Sequence, residues 1–340
     1  MPFCANEPGS AARPDHASSI GIRSNGTGEG APWSLPQGRF TSGVSFGSFG
    51  ELLQGVLPDD GTEFLVTLPI EKYAVAHFFP HEESETIEVF PRWKTKSLQL
   101  ARDLLLKLSR RTGGQLYVAS EIPCGKGLSS SSADLVATAR AIESYLDIQI
   151  PMDELCRGLS QVEPTDGVMF SESVMYFHVK GALCERLGTL PQVTVLSLDE
   201  GGQVETLDHH HRGTPNYPVE RRREFAALFE QLRRGFQRNA LLEIGEVSTR
   251  SAYINQESNP KKNLERVHSV CKQTGGAGLI TTHSGTCLGI LYDDTRPGHK
   301  ENLARAAAEL GPYGKVDVYT TIKQPIKQAS ALDWSRFARE

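Results

Sequence analysis

Ile122-Pro123-Cys124-Gly125-Lys126-Gly127-Leu128-Ser129-Ser130-Ser131-Ser132-Ala133-Asp134 is the stretch around which the chain is organised. The β-prone run Gln115–Ser120 precedes it and should end by Pro123. After Ser132 the pattern becomes helical, with Leu135, Ala139, Ile142 and Leu146 on one apolar face. A strand, a Gly/Ser-rich turn and a helix form an arrangement that can bind phosphate. The first N–H groups of a helix lack partners, and its dipole favours an anion there. Gly125 and Gly127 let the backbone approach a ligand closely, and Ser129 to Ser132 add hydroxyls that can reach phosphate or a metal ion. The alternative is a serine-capped helix after an ordinary loop.

The rest of the composition narrows the class. A chain of 340 residues can bury a large core, with room for two lobes. Lys and Arg total 36 and Asp and Glu 41, giving a net charge of −5 that argues against nucleic acid as the main partner. No apolar run is long enough to span a bilayer, and the first residues lack a signal-peptide core. The six cysteines form no CxxC pair and fit a reducing cytoplasm. Residues 1–38, rich in Gly, Ser, Pro, Ala and Asn, read as a disordered tail, with order beginning near Phe40.

Along the chain, strands are expected at Glu63–Leu68 and Tyr73–Phe79 with Pro69 between them, then at Thr86–Phe90, Val174–Val179, Val193–Leu198, Ala277–Thr282, Thr286–Tyr292 and Val316–Thr321. Val44–Gly55 reads as a β-prone start followed by small residues and a polar turn. Helices are expected at Leu98–Leu108, Asp153–Val162, from Val219 onward, at Leu241–Ile254, at Leu264–Cys271 and over 300–310. Strands and helices mix without strict alternation, which favours α+β over a doubly wound sheet. His209-His210-His211 suggests metal binding, but sequence neighbours rarely face one ion together, and a solvated loop over Gly201–Tyr217 is the better reading.

Two further clusters carry chemistry. Gly275-Gly276-Ala277-Gly278 and the turn His283-Ser284-Gly285-Thr286 could close over a nucleotide beside the first loop, or could simply be the glycine-rich ends of a hairpin. Glu163-Pro164-Thr165-Asp166-Gly167 sets carboxylates just past a helix end, where they can act as base or metal ligand, although an exposed turn has the same composition. A Walker A loop is excluded, because Ser120 and Gly127 stand where it needs Gly and Ser or Thr.

Together these pieces resemble the GHMP kinase superfamily. Pro123 to Ala133 is similar to its P-x-x-x-G-L-G-S-S-A-A phosphate motif, with Ser129 and Ser132 where Gly and Ala are usual, and Ala277–Gly289 looks like its C-terminal glycine motif. Ser45-Phe46-Gly47-Ser48-Phe49-Gly50-Glu51-Leu52-Leu53-Gln54-Gly55 resembles the C-P-x-S-C-G-E-L-x-Q-G pattern of the bacterial L-threonine kinase branch, with Ser45, Phe46 and Phe49 departing from it. The resemblance implies an α+β, two-lobed fold with the site in the cleft: a tail over 1–38, a first lobe over 39–200 and a second over 201–340. It further implies a cytoplasmic, ATP- and Mg2+-dependent kinase acting on a small-molecule alcohol, an amino acid and above all L-threonine. Homoserine or another hydroxylated metabolite is the alternative acceptor, and a non-catalytic nucleotide-binding relative the alternative class. In this resemblance Asp166 is the catalytic base. Pro123, Gly125, Lys126, Gly127, Leu128, Ser129, Ser130, Ser131 and Ser132 hold the triphosphate, and Ser131 and Glu163 the metal. Ser48, Glu51, Gln54, His283, Ser284, Gly285 and Thr286 hold the acceptor.

Overall fold

The computed structural model describes residues 36, 38–108, 112–190, 192–202 and 217–323. The expected tail, apart from residues 36 and 38, and the His209–His211 loop lie outside the described residues. Ten strands form one sheet: β1 (Thr41–Val56), β2 (Glu63–His81), β3 (Ile87–Phe90), β4 (Gly113–Ser120), β5 (Ser173–Phe177), β6 (Ala182–Gly188), β7 (Val193–Asp199), β8 (Gly278–Thr281), β9 (Cys287–Asp293) and β10 (Lys315–Thr320). Seven α-helices among the described residues cover it: α1 (Thr95–Lys107), α2 (Ser130–Leu146), α3 (Met152–Val162), α4 (Val219–Arg238), α5 (Leu241–Asn255), α6 (Leu264–Gln273) and α7 (His299–Leu310). The strand order is β10-β7-β9-β8-β1-β2-β4-β3, with the β5–β6 hairpin branching from β2. Only β3 and β4 pair in parallel; the remaining pairs among the described residues are antiparallel, as an α+β fold requires.

Two sequence expectations are corrected. The polar turn within Val44–Gly55 does not form, because the whole run is part of β1. The two strands flanking Pro69 are one strand, β2. Proline cannot donate to a ladder, and it is tolerated here because Pro69 faces Ser48 where the β1–β2 register shifts on both sides of Ser48. The β6 strand has no apolar alternation, since most of its residues are exposed or half-buried, and it escaped the sequence reading.

Helix α2 lies on β1. A Cβ on Gly43 would sit 2.0 Å from the Ala137 carbonyl oxygen, so that close approach needs glycine in the strand and small residues along the helix. Strand β7 is buried on both faces. Val193 and Val195 face the larger apolar cluster, and Leu196 and Leu198 a second one built with Leu264, Val267, Leu288, Ile290 and Leu310. Although it precedes residue 201, β7 pairs on both sides with strands of the C-terminal half, β9 and β10. No helix among the described residues is long and apolar enough to cross a membrane.

Candidate active site

The serine-rich turn sits on the central strand. The Ser48 amide donates to the Leu128 carbonyl at 3.2 Å, and α2 then begins at Ser130. No side chain caps α2, and its first residues line a cavity of about 400 Å3. Gly125, Gly127, Leu128 and Ser129 to Ser132 line this cavity, as do Glu163, Asp166, His283 and Ser284. The expected phosphate, base, metal and acceptor segments therefore converge on one space.

The second glycine cluster divides. The turn at Ser284–Gly285 packs against the phosphate loop, because Gly127 has φ +78 and a Cβ there would lie 1.7 Å from the Ser284 carbonyl oxygen. Gly276 and Gly278 pack instead against Cys271 and Gly245, within the second half of the sheet. The buried Lys261 ammonium donates to the Gly285 carbonyl, and burial pulls its pKa down to about 8. Asp199 ties the loop and the turn together, accepting from Lys126 Nζ at 2.6 Å and from Thr286 Oγ1 at 2.5 Å. Lys126 also donates to the Gly202 carbonyl at 2.7 Å.

The acidic groups lie beside the start of α2. Asp166 accepts through Oδ2 from Ser129 Oγ, whose oxygen is also paired with Ser48 Oγ. The Asp166 amide donates to Ser132 Oγ at 3.2 Å. Burial pushes the Asp166 carboxyl up to about 6, the Ser129 hydrogen bond pulls it back, and the charge of Glu163 adds to the rise. Glu51, on β1, is buried and its pKa lies well above the ordinary value, first through burial and then through the charge of Asp166. Glu163 accepts from Ser131 Oγ through one oxygen and pairs with Lys96 through the other. A hydroxyl and a carboxylate side by side are hard oxygen donors of the kind Mg2+ takes together with phosphate oxygens, so the residues present fit that ion.

The acceptor residues reach the cavity in different ways. His283 and Ser284 line it directly. Gln54 Oε1 lies 2.7 Å from His283 Nδ1, which fixes that nitrogen as the protonated one. Ser48 reaches it through Ser129, and Glu51 lies close enough to Asp166 for that charge to raise the Glu51 carboxyl. Pro123, Lys126, Gly285 and Thr286 shape the two loops without lining the cavity. Sequence reasoning missed Trp93, Lys94, Lys96, Asp134 and His178, all of which line it. Lys94 pairs with buried Asp134, whose carboxyl burial pushes up to about 6. A charged residue on the apolar face of α2 is the signal that could have found Asp134.

Residues 96–171 match the family described as GHMP kinases N terminal domain. The L-threonine kinase of Citrobacter freundii is 26% identical over 262 residues, covering 73% of this chain and 85% of that protein. The L-threonine kinase of Salmonella typhimurium is 24% identical over 272 residues, covering 77% and 85%. The homoserine kinase structure from Cytophaga hutchinsonii superposes with a TM-score of 0.64 at 12% identity, covering 85% of this chain and 96% of that one. Residues 96–171 thus form a GHMP kinase N-terminal domain, and most of the chain is similar to two L-threonine kinases, ATP-dependent kinases of a hydroxyl-bearing acceptor.

Proposed function

We propose that the protein transfers the γ-phosphate of ATP to the side-chain hydroxyl of L-threonine, giving O-phospho-L-threonine and ADP, in the cytoplasm. The observation that carries the reading is the Asp166 carboxylate, held by Ser129 at the very start of the helix whose N-terminus faces the cavity. Two relatives that align with most of this chain, both named L-threonine kinase, support the choice of acceptor.

In this reading the N–H groups of Gly125 to Ser132, with the hydroxyls of Ser130 and Ser132, bind the triphosphate, and Pro123 and Leu128 shape the loop. Ser131 and Glu163 hold Mg2+, which would neutralise charge on the β- and γ-phosphates. Lys96, paired with Glu163, lies next to that charge. The acceptor oxygen attacks the γ-phosphorus, the bond from that phosphorus to the β,γ-bridging oxygen breaks, and the hydroxyl proton passes to Asp166. A carboxyl near 6 is ionised at neutral pH and is more basic than an exposed aspartate. His283 and Ser284 line the acceptor side, Gln54 orients His283, and Ser48 and Glu51 stand behind this lining on β1, beside Ser129 and Asp166. Gly285 and Thr286 hold the turn that carries them.

The test is ADP release with ATP and Mg2+ across free hydroxy-amino acids, sugars and mevalonate. Turnover with L-threonine above the others is expected. Preference for homoserine or a different alcohol would keep the kinase and discard threonine. Silence across the panel with ATP still bound would point to a binding-only protein.

A further inference from the structure

We propose that Ser129 is a positioning residue for Asp166, its hydroxyl bridging Ser48 and the Asp166 carboxylate from a left-handed backbone conformation. The proposal rests on the kinase reading above for the role of Asp166, but the contact itself does not.

Four residues other than glycine have positive φ among the described residues: Ser129, Asp147, Gln192 and Asn239. Asp147 and Asn239 end helices, where a left-handed residue is ordinary. Ser129 begins one. A serine at that position normally has extended dihedrals and turns its hydroxyl back onto the helix N–H groups. Ser129 does neither, with φ 62, ψ 30 and no side-chain cap bond. Glycine would adopt this φ without strain. The serine hydroxyl turns away from its own helix, toward Ser48 Oγ and Asp166 Oδ2. A hydroxyl has one proton. Because a carboxylate can only accept, Ser129 donates to Asp166 and Ser48 donates to Ser129. The short chain from β1 through α2 to the segment after α3 fixes one carboxylate oxygen and leaves the other for the acceptor. Asp166 is the one charged side chain in it. The ionised or ionisable neighbours are Glu51 on β1 and Glu163, the latter already engaged by Ser131 and Lys96, with His178 and His283 on the far lining of the cavity.

The test separates hydroxyl from backbone. Ser129→Gly removes the hydroxyl and relieves the strain; Ser129→Ala removes the hydroxyl and keeps it. Both are expected to lower kcat on L-threonine by about 10- to 100-fold, the usual loss for a residue that orients a reacting group, with KM for ATP unchanged. The melting temperature should fall for Ser129→Ala and should hold or rise for Ser129→Gly. A Ser129→Gly protein with wild-type kcat, or one whose only defect is a raised KM for ATP, would overturn the proposal. If the wild type phosphorylates no alcohol, the kinase reading fails by itself. A double-mutant cycle on urea midpoints with Ser129→Ala and Asp166→Asn then decides: coupled midpoints support the contact, and additive ones overturn it.

Discussion

In the proposed reaction Asp166 is the residue on which the chemistry turns, and its environment yields two pH dependences of opposite sign. As a base it must be ionised, so kcat/KM should fall as pH drops below about 6, and Asp166→Asn should abolish that limb. The same substitution should cost about 10²- to 10⁴-fold in turnover while leaving ATP affinity intact, as read by single-turnover kinetics and equilibrium binding. For folding, a carboxyl raised from 3.8 to about 6 binds more protons folded than unfolded across that window, so its contribution to stability declines as pH rises through it. Urea midpoints of Asp166→Asn relative to wild type should therefore improve between those two pH values; a flat difference would remove the buried, raised carboxyl from the account. Asp166 was legible in the sequence because it follows Glu163 in a segment similar to a known motif. Lys96 and His178 were not, because what makes them part of the site is contact across the fold: Lys96 meets Glu163 from a different helix, and no spacing rule encodes that.

At the level of elements, the loop proposed to bind phosphate packs against a turn far away in sequence. Gly127→Ala would force a side chain into a left-handed φ and onto the Ser284 carbonyl. The strain alone is worth about 1–3 kcal/mol, so thermal stability should drop and KM for ATP should rise together. Wild-type values of both would show that the loops do not meet. Most strands and helices were readable from periodicity, and α2 was clearest because a Ser/Gly turn precedes a regular apolar face. The errors fell where tertiary pairing overrode local signals. Pro69 marks a strand break by rule, yet the shifted register at Ser48 lets β2 run through it. Gly47, Ser48 and Gly50 suggest a turn, yet β1 is held by β2 along nearly its whole length and touches β8 at Glu51.

Across the whole molecule, one sheet links β1 to the Ser284–Gly285 turn that packs against the Gly125–Ser132 loop. Helix α4 is pinned to that sheet by Phe225, which is 1% exposed and packs over Gly55 and against Tyr217 at 5.1 Å. Phe225→Ala should cost about 3–5 kcal/mol in chemical denaturation, with the site chemistry retained in the folded fraction. A small cost would mean that α4 docks by other contacts. The α+β class was legible because strands and helices do not alternate, whereas the pairing of β7 with β9 and β10 was not, since pairing partners are invisible in a local pattern. The measurement that bears most directly on function is the identity of the product after incubation with ATP, Mg2+ and L-threonine, read by phosphorus NMR and mass spectrometry. A phosphate ester on the threonine hydroxyl, formed by the wild type and lost in Asp166→Asn, is the expected result. ADP formed with no phosphorylated threonine, or equal product from the Asp166→Asn protein, would contradict it.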